Sequence, residues 1–170
     1  YSHISGYGFA ECYRSNYLYT MQISQIITQA DIFAPFNYQE SYDNAGLLCG
    51  DPDWSCTGIL VALDATEAVI DEAIQIGCNL VIAHHPIVFS GLKKITGKNY
   101  VEKTLIKAIK HDIAILAIHT NLDNVQQGVN GKIASVLGLE HLQVMVPKTG
   151  LLKKLHCFVP EGHVETVRSS

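Results

Sequence analysis

Asn79-Leu80-Val81-Ile82-Ala83-His84-His85-Pro86 is the stretch on which the reading of this chain turns. Four apolar residues, two of them β-branched, run into adjacent histidines, and a proline stops the run. A short apolar run of this kind reads as a strand buried on both faces, as in a parallel sheet. Ligands of such sheets bind beyond the carboxyl ends of the strands, which is where His84 and His85 fall. Neighbouring side chains on a strand point to opposite faces, but a turn past the strand lets both imidazoles reach one crevice. Two neutral imidazoles suit one or two divalent transition metals. Taken alone, the pair is more simply one core ring and one exposed ring. The flanking sequence has to decide.

Upstream, Gly58 to Leu63 (GILVAL) is a second buried strand, with Asp64 at its carboxyl end. Thr66 caps a helix carrying Val69, Ile70, Ala73 and Ile74, and Gly77 ends it. The two strands and this helix form a β-α-β unit, so the strands are expected to be parallel. Downstream, Ile87–Leu92 opens a polar loop containing Gly91 and Gly97. Val101, Leu105, Ala108 and Ile109 then mark another amphipathic helix, and Ile113–Ile118 (IAILAI) a third buried strand. His119-Thr-Asn-Leu-Asp123 stands at its end, and Gly128 leads into a helix bearing Val129, Ile133, Val136 and Leu137. The fold expected is three-layer α/β/α with a largely parallel sheet.

Three strands thus deliver Asp64, His84 with His85, and His119 with Asp123 to one sheet edge. A core histidine has no reason to respect that geometry, whereas a metal site does. Imidazole and carboxylate together fit zinc, iron, manganese or cobalt without choosing among them. With His84, His85 and Asp123 as metal ligands, coordination positions stay open, which marks a catalytic site more than a structural one. Two ions bridged by a carboxylate could activate water to attack a phosphoester, an amide or a ring carbon. His119, four residues before Asp123, is the catalytic candidate, as support behind the ligands or as a proton carrier. A loop-fixing role for His119 explains its position equally well, and Asp64 could simply cap the turn before Thr66. No G-x-S-x-G elbow, phosphate-binding P-loop or dinucleotide-binding glycine motif occurs.

Residues 1–20 carry five of the eight tyrosines and show no period, so they read as an N-terminal appendage. Met21, a possible natural start, opens a helical pattern through Ile23, Ile26, Ile27 and Ala30 to Ala34, which Pro35 ends. Residues 37–57 are rich in turn formers and read as a shaped loop, Asp43-Asn44-Ala-Gly46 included. The α/β domain spans residues 21–147. From about Pro147 a different unit begins: Leu152–Val159 reads as a strand and Glu161–Arg168 as the start of a helix. Residues 148–170 are therefore expected to open a truncated second domain, since one strand and a partial helix cannot bury their own apolar faces.

The chain has 170 residues, 48% of them apolar, and a formal net charge of −4. It carries no basic run of the kind that binds nucleic acid. Its longest apolar stretches, six or seven residues, are too short to span a membrane. Five cysteines at unrelated spacings suggest reduced thiols and a cytoplasmic location.

Four segments carry a family resemblance: Glu40–Gly50 (ESYDNAGLLCG), Leu63–Thr66 (LDAT), Asn79–Phe89 (NLVIAHHPIVF) and His119–Gly131 (HTNLDNVQQGVNG). Over residues 21–170 the chain resembles the Nif-three-like dinuclear-metal-centre hexamers, often labelled GTP cyclohydrolase 1 type 2 homologs. The resemblance implies that His84, His85 and Asp123 are metal ligands and that a full-length subunit binds two divalent ions. It also implies a toroidal homohexamer. The family's remaining ligands, a histidine and a glutamate four residues apart near the C-terminus, have no counterpart here. His163 and Glu165 are two apart and in the wrong unit. Leu152–Arg168 resembles the first strand and helix of the ferredoxin-like insert of longer members. Accordingly, the chain reads as a fragment: the first half of the family fold plus the start of that insert. Two functions follow. One is a metal-dependent hydrolase, cyclohydrolase-like, acting on a nucleotide-like or phosphorylated small molecule. The other is a non-catalytic hexamer that binds metal or a partner.

Overall fold

The computed structural model describes residues 11–13, 21–147 and 158–168. Three strands form the parallel centre of the sheet: β3 (Ile59–Asp64), β4 (Leu80–His85) and β5 (Ala114–Ala117). Two more strands, β1 (Glu11–Tyr13) and β2 (Gly46–Cys49), flank them antiparallel, giving the order β1-β3-β4-β5-β2. Helix α1 (Ile23–Phe33) covers one face, while α2 (Glu67–Ile76) and α3 (Tyr100–Lys110) cover the other. The three-layer α/β/α architecture expected from the sequence is therefore present.

The alternation of each central strand builds the two cores. Leu60, Val81 and Ile115 pack with Ile70 and Ala73 of α2 and Leu105 and Ala108 of α3. Leu80, Ala114 and Leu116 turn to the other side, against Ile23 and Ile26 of α1. Every residue of β5 is fully buried, which is why its sequence is uninterruptedly apolar. A large side chain buried this way contributes about 1.5–3 kcal/mol. Helix α2 begins where Thr66 Oγ1 accepts the Val69 N–H at 3.3 Å, and it ends at Gly77 in the left-handed conformation, φ 66°. Both caps leave α2 the right length to return the chain to the start of β4.

Two edge strands were not expected. Glu11–Tyr13, within the tyrosine-rich opening, pairs with Ile59–Val61 of β3. Gly46–Cys49, within the turn-rich segment, pairs with β5. Neither is longer than four residues, too short to show a period of two. Strand β2 also carries an irregularity between Leu47 and Cys49. Directly after it, Gly50 has φ +97°, and a Cβ there would stand 2.7 Å from the Ala114 Cα. Only glycine lets the chain pass so close to β5.

Beyond β5 the chain forms two short helices, α4 (Thr120–Asp123) and α5 (Val129–Val136). The chain divides into two compact units, Tyr1–Glu140 and His141–Ser170. In the second, a 3₁₀ turn at Glu161–His163 leads into α6 (Val164–Arg168), where the sequence placed the start of a helix. Most of the strand expected over Leu152–Val159 lies outside the described residues. Among the described residues, no helix is long and apolar enough to cross a membrane.

Candidate metal centre

The register of the parallel strands assembles the site. Asp64 pairs with His85 across β3 and β4, and Ala83 with Ala117 across β4 and β5. Asp64, His84, His85 and His119 therefore come to one sheet edge. Both histidines of β4 are still strand residues, yet their ring centroids lie 5.0 Å apart. The His119 ring stands 5.2 Å from that of His84 and 5.6 Å from that of His85, edge-on to both. One ring nitrogen from each of His84, His85 and His119 falls within 4.8 Å of the others.

Hydrogen bonds fix which nitrogen is free. His84 Nδ1 lies 3.0 Å from the Ile118 carbonyl, which can only accept, so Nδ1 carries the proton. His85 Nδ1 donates to Asp64 Oδ1 at 2.8 Å. His119 Nδ1 donates to Asp43 Oδ1, also at 2.8 Å. In each neutral ring the Nε2 lone pair is then left for a ligand. Anchoring the remote ring nitrogen on a carboxylate or carbonyl is the usual support of a metal-binding histidine.

Asp43 is the most heavily engaged of these acceptors. Its side chain is fully buried. Oδ2 accepts the Thr120 N–H at 3.1 Å and a short hydrogen bond from the Thr120 hydroxyl. Oδ1 also accepts the Asn44 N–H at 2.7 Å. Burial pushes the carboxyl pKa up, but the hydrogen bonds from His119, Thr120 and Asn44 outweigh it and hold Asp43 below its ordinary value. The Thr120 hydroxyl in turn accepts the Glu40 N–H at 2.9 Å. Beneath His119, the buried Asn121 accepts the His119 N–H at 2.9 Å and donates to the Ala34 carbonyl at 2.7 Å. That carbonyl lies at the end of α1, where helical carbonyls lack intrahelical partners. The turn carrying His119 is thus bolted to α1 and to loop 40–44.

The structure brings together His84, His85 and His119. Asp123, at the end of α4, places Oδ1 4.0 Å from His84 Nε2. Asp64 supports the His85 ring rather than merely capping a turn. Asp43, Thr120 and Asn121 are the residues that sequence reasoning did not single out. By its sequence Asp43 reads only as a turn former, since His119 and Thr120 lie more than seventy residues away. The sole signal was its place in a segment that also matched the family pattern. Three imidazole nitrogens with fixed tautomers and a nearby carboxylate form a donor set suited to a borderline divalent ion. Fold and site together define an α/β protein with a histidine cluster able to hold metal at the carboxyl edge of its parallel strands.

Comparison with known proteins then gives the family. A model of the family described as Duf34/NIF3 (NGG1p interacting factor 3) matches residues 21–167, and the chain belongs to that family. A curated relative, the GTP cyclohydrolase 1 type 2 homolog of Staphylococcus epidermidis, is 37% identical over 150 residues, covering 88% of this chain and 41% of the relative. Among solved structures, a Bacillus cereus protein related to NIF3 superposes with a TM-score of 0.72 at 41% identity, covering 75% of this chain and 35% of that one. A Staphylococcus aureus protein gives 0.69 at 43% identity, covering 74% and 40%. The chain thus spans about two fifths of the length of these relatives.

Proposed function

We propose that this chain supplies the metal-binding half of a metal-dependent hydrolase that acts on a nucleotide-like or phosphorylated small molecule. The observation that carries the reading is the tautomer pattern. Three histidines at one sheet edge each have Nδ1 engaged, which leaves Nε2 for a ligand, and one ring nitrogen from each falls within 4.8 Å of the others. His84, His85 and Asp123 hold a divalent ion, and a full-length subunit of the family's homohexamer holds two. The ion would be zinc, iron, manganese or cobalt, and when bound it would lower the pKa of water and so supply a nucleophile. His119, oriented by the buried Asp43, carries the proton that the reaction moves. An imidazole held at Nδ1 by a carboxylate presents Nε2 in a fixed direction to take up and return that proton. The substrate class takes its support from the relatives' name, GTP cyclohydrolase 1 type 2 homolog. A cytoplasmic location fits the cysteine pattern.

Elemental analysis of single variants tests the assignment. His85→Ala and Asp123→Ala should lose stoichiometric metal with the fold retained by circular dichroism. His119→Ala should keep its metal and lose turnover against a panel of nucleotides and sugar phosphates. Metal lost in His119→Ala would make His119 a ligand instead. Undiminished metal in all three would refute the site. Metal without turnover on any substrate would favour the non-catalytic, metal-binding or partner-binding hexamer.

A further inference from the structure

One rim of the histidine cluster is aromatic and open to solvent. Tyr42 is 65% exposed and Phe89 52% exposed. Their ring centroids are 6.4 Å apart and their planes tilted by 35°. Phe89 in turn lies 6.5 Å from the His119 ring, edge-on at 76°. Neither ring belongs to the two apolar cores.

Their backbone is nevertheless held. Asn44 Nδ2 donates to the Val88 carbonyl at 2.6 Å, tying loop 40–45 to the chain immediately before Phe89. Asp43, next to Tyr42, is fastened to His119 and Thr120. Two large exposed rings on pinned backbone, beside three free imidazole nitrogens, are arranged as binding residues are, on a preorganised frame. Small-molecule sites combine aromatic walls with a few convergent polar groups, which is the combination found here. The Tyr42–Phe89 spacing also lies within the range at which aromatic rings attract, so a third flat ring can extend the pair.

We propose that Tyr42 and Phe89 form a platform for the flat ring of a small ligand whose donor atoms face the metal site of His84, His85 and Asp123. The ligand class is a planar aromatic or heteroaromatic compound bearing a carboxylate or similar oxygen donor. This rests on the reading of the cluster as a metal site, because the metal engages the ligand's polar end.

Two probes test it: picolinate, a flat pyridine carboxylate, and pipecolate, its saturated counterpart. Each is titrated calorimetrically into wild type, Phe89→Leu and Tyr42→Leu, both zinc-loaded and stripped with EDTA. Leucine keeps apolar bulk and removes the ring. In wild type picolinate should bind more tightly than pipecolate, and Phe89→Leu should reduce that preference about fivefold. Tyr42→Leu, one ring further from His119, should reduce it less. The platform is read from this ratio in the zinc-loaded protein. Loss of absolute affinity on stripping reports the metal reading separately. An unchanged ratio in zinc-loaded Phe89→Leu would overturn the platform. A shift in sedimentation coefficient with Phe89→Leu would also overturn it, by assigning the rings to a contact between copies of the chain.

Discussion

Two carboxylates hold two histidines of the cluster at the same distance, and the pairs are physically unlike. Asp64 meets His85 Nδ1 at 2.8 Å with both side chains about half exposed. Asp43 meets His119 Nδ1 at 2.8 Å with its own side chain buried and His119 only 17% exposed. Asp64 comes from the strand next to β4, in register with its partner. Asp43 comes from a loop 76 residues away and gathers donors from His119, Thr120 and Asn44. Equal distance therefore does not mean equal weight. Water competes for the exposed pair and screens it, so it orients a ring at little gain in stability. Removing the buried carboxylate strands several donors, which water reaches only in part.

The largest expected effect follows at Asp43. Asp43→Ala should cost about 2 kcal/mol of unfolding free energy, the scale for leaving buried hydrogen-bond donors without their acceptor. It should also lower turnover about 10- to 100-fold, because His119 loses the acceptor that orients it, while metal content stays at the wild-type level. Urea unfolding and turnover on the substrate panel read the two together. Stability unchanged in Asp43→Ala would show that loop 40–44 is not fastened through this side chain.

Asp64→Ala sharpens the contrast with a smaller effect. The unfolding midpoint should move by no more than about 1 kcal/mol. Metal affinity should still fall about tenfold, because His85 loses the acceptor that fixes its tautomer. If Asp64→Ala destabilised the fold as much as Asp43→Ala, burial would not be what separates the pairs.

The same contrast explains what the sequence made legible. The three central strands were readable because they are buried on both faces, so their apolar runs are continuous. His84, His85, His119 and Asp123 were readable because they stand at the ends of those runs. The Asp64 contact to His85 follows from parallel register once the strands are paired. Asp43 was not readable by the same logic. Asp-Asn-Ala-Gly is what a turn requires locally, and nothing in a turn signature says that its acid reaches the end of β5. Strand β2 was hidden for a related reason: its pairing is set by β5 and by the close passage at Gly50, not by its own pattern. Phe89 and Tyr42 look like stray apolar residues until their backbone is seen to be tied together by Asn44.

A third carboxylate gives the smallest effect. Glu102, buried in the first turn of α3, accepts hydrogen bonds among the described residues only from near neighbours. These are the Lys98 N–H at 3.0 Å, the Thr96 N–H at 2.8 Å, the Thr96 hydroxyl at 3.0 Å and the Asn99 amide at 2.9 Å. It closes loop 96–99 onto the helix, while Asn99 caps the Glu102 N–H in return. The N–H of Lys98 first, then that of Thr96, hold the carboxyl below its ordinary value. As pH falls, the unfolded chain therefore takes up a proton at this residue before the folded chain does. The stabilising contribution is complete above the ordinary glutamate range and is lost as pH drops through the depressed folded value. Glu102→Gln should be less stable than wild type at about pH 6, and the gap should narrow as pH falls towards about pH 3, below the ordinary glutamate value. Because every partner is within six residues, the change should stay local. Amide exchange should quicken at residues 96–102, and metal content should stay at the wild-type level. A gap in stability that is the same at both pH values would show that the charge of Glu102 does not hold this loop.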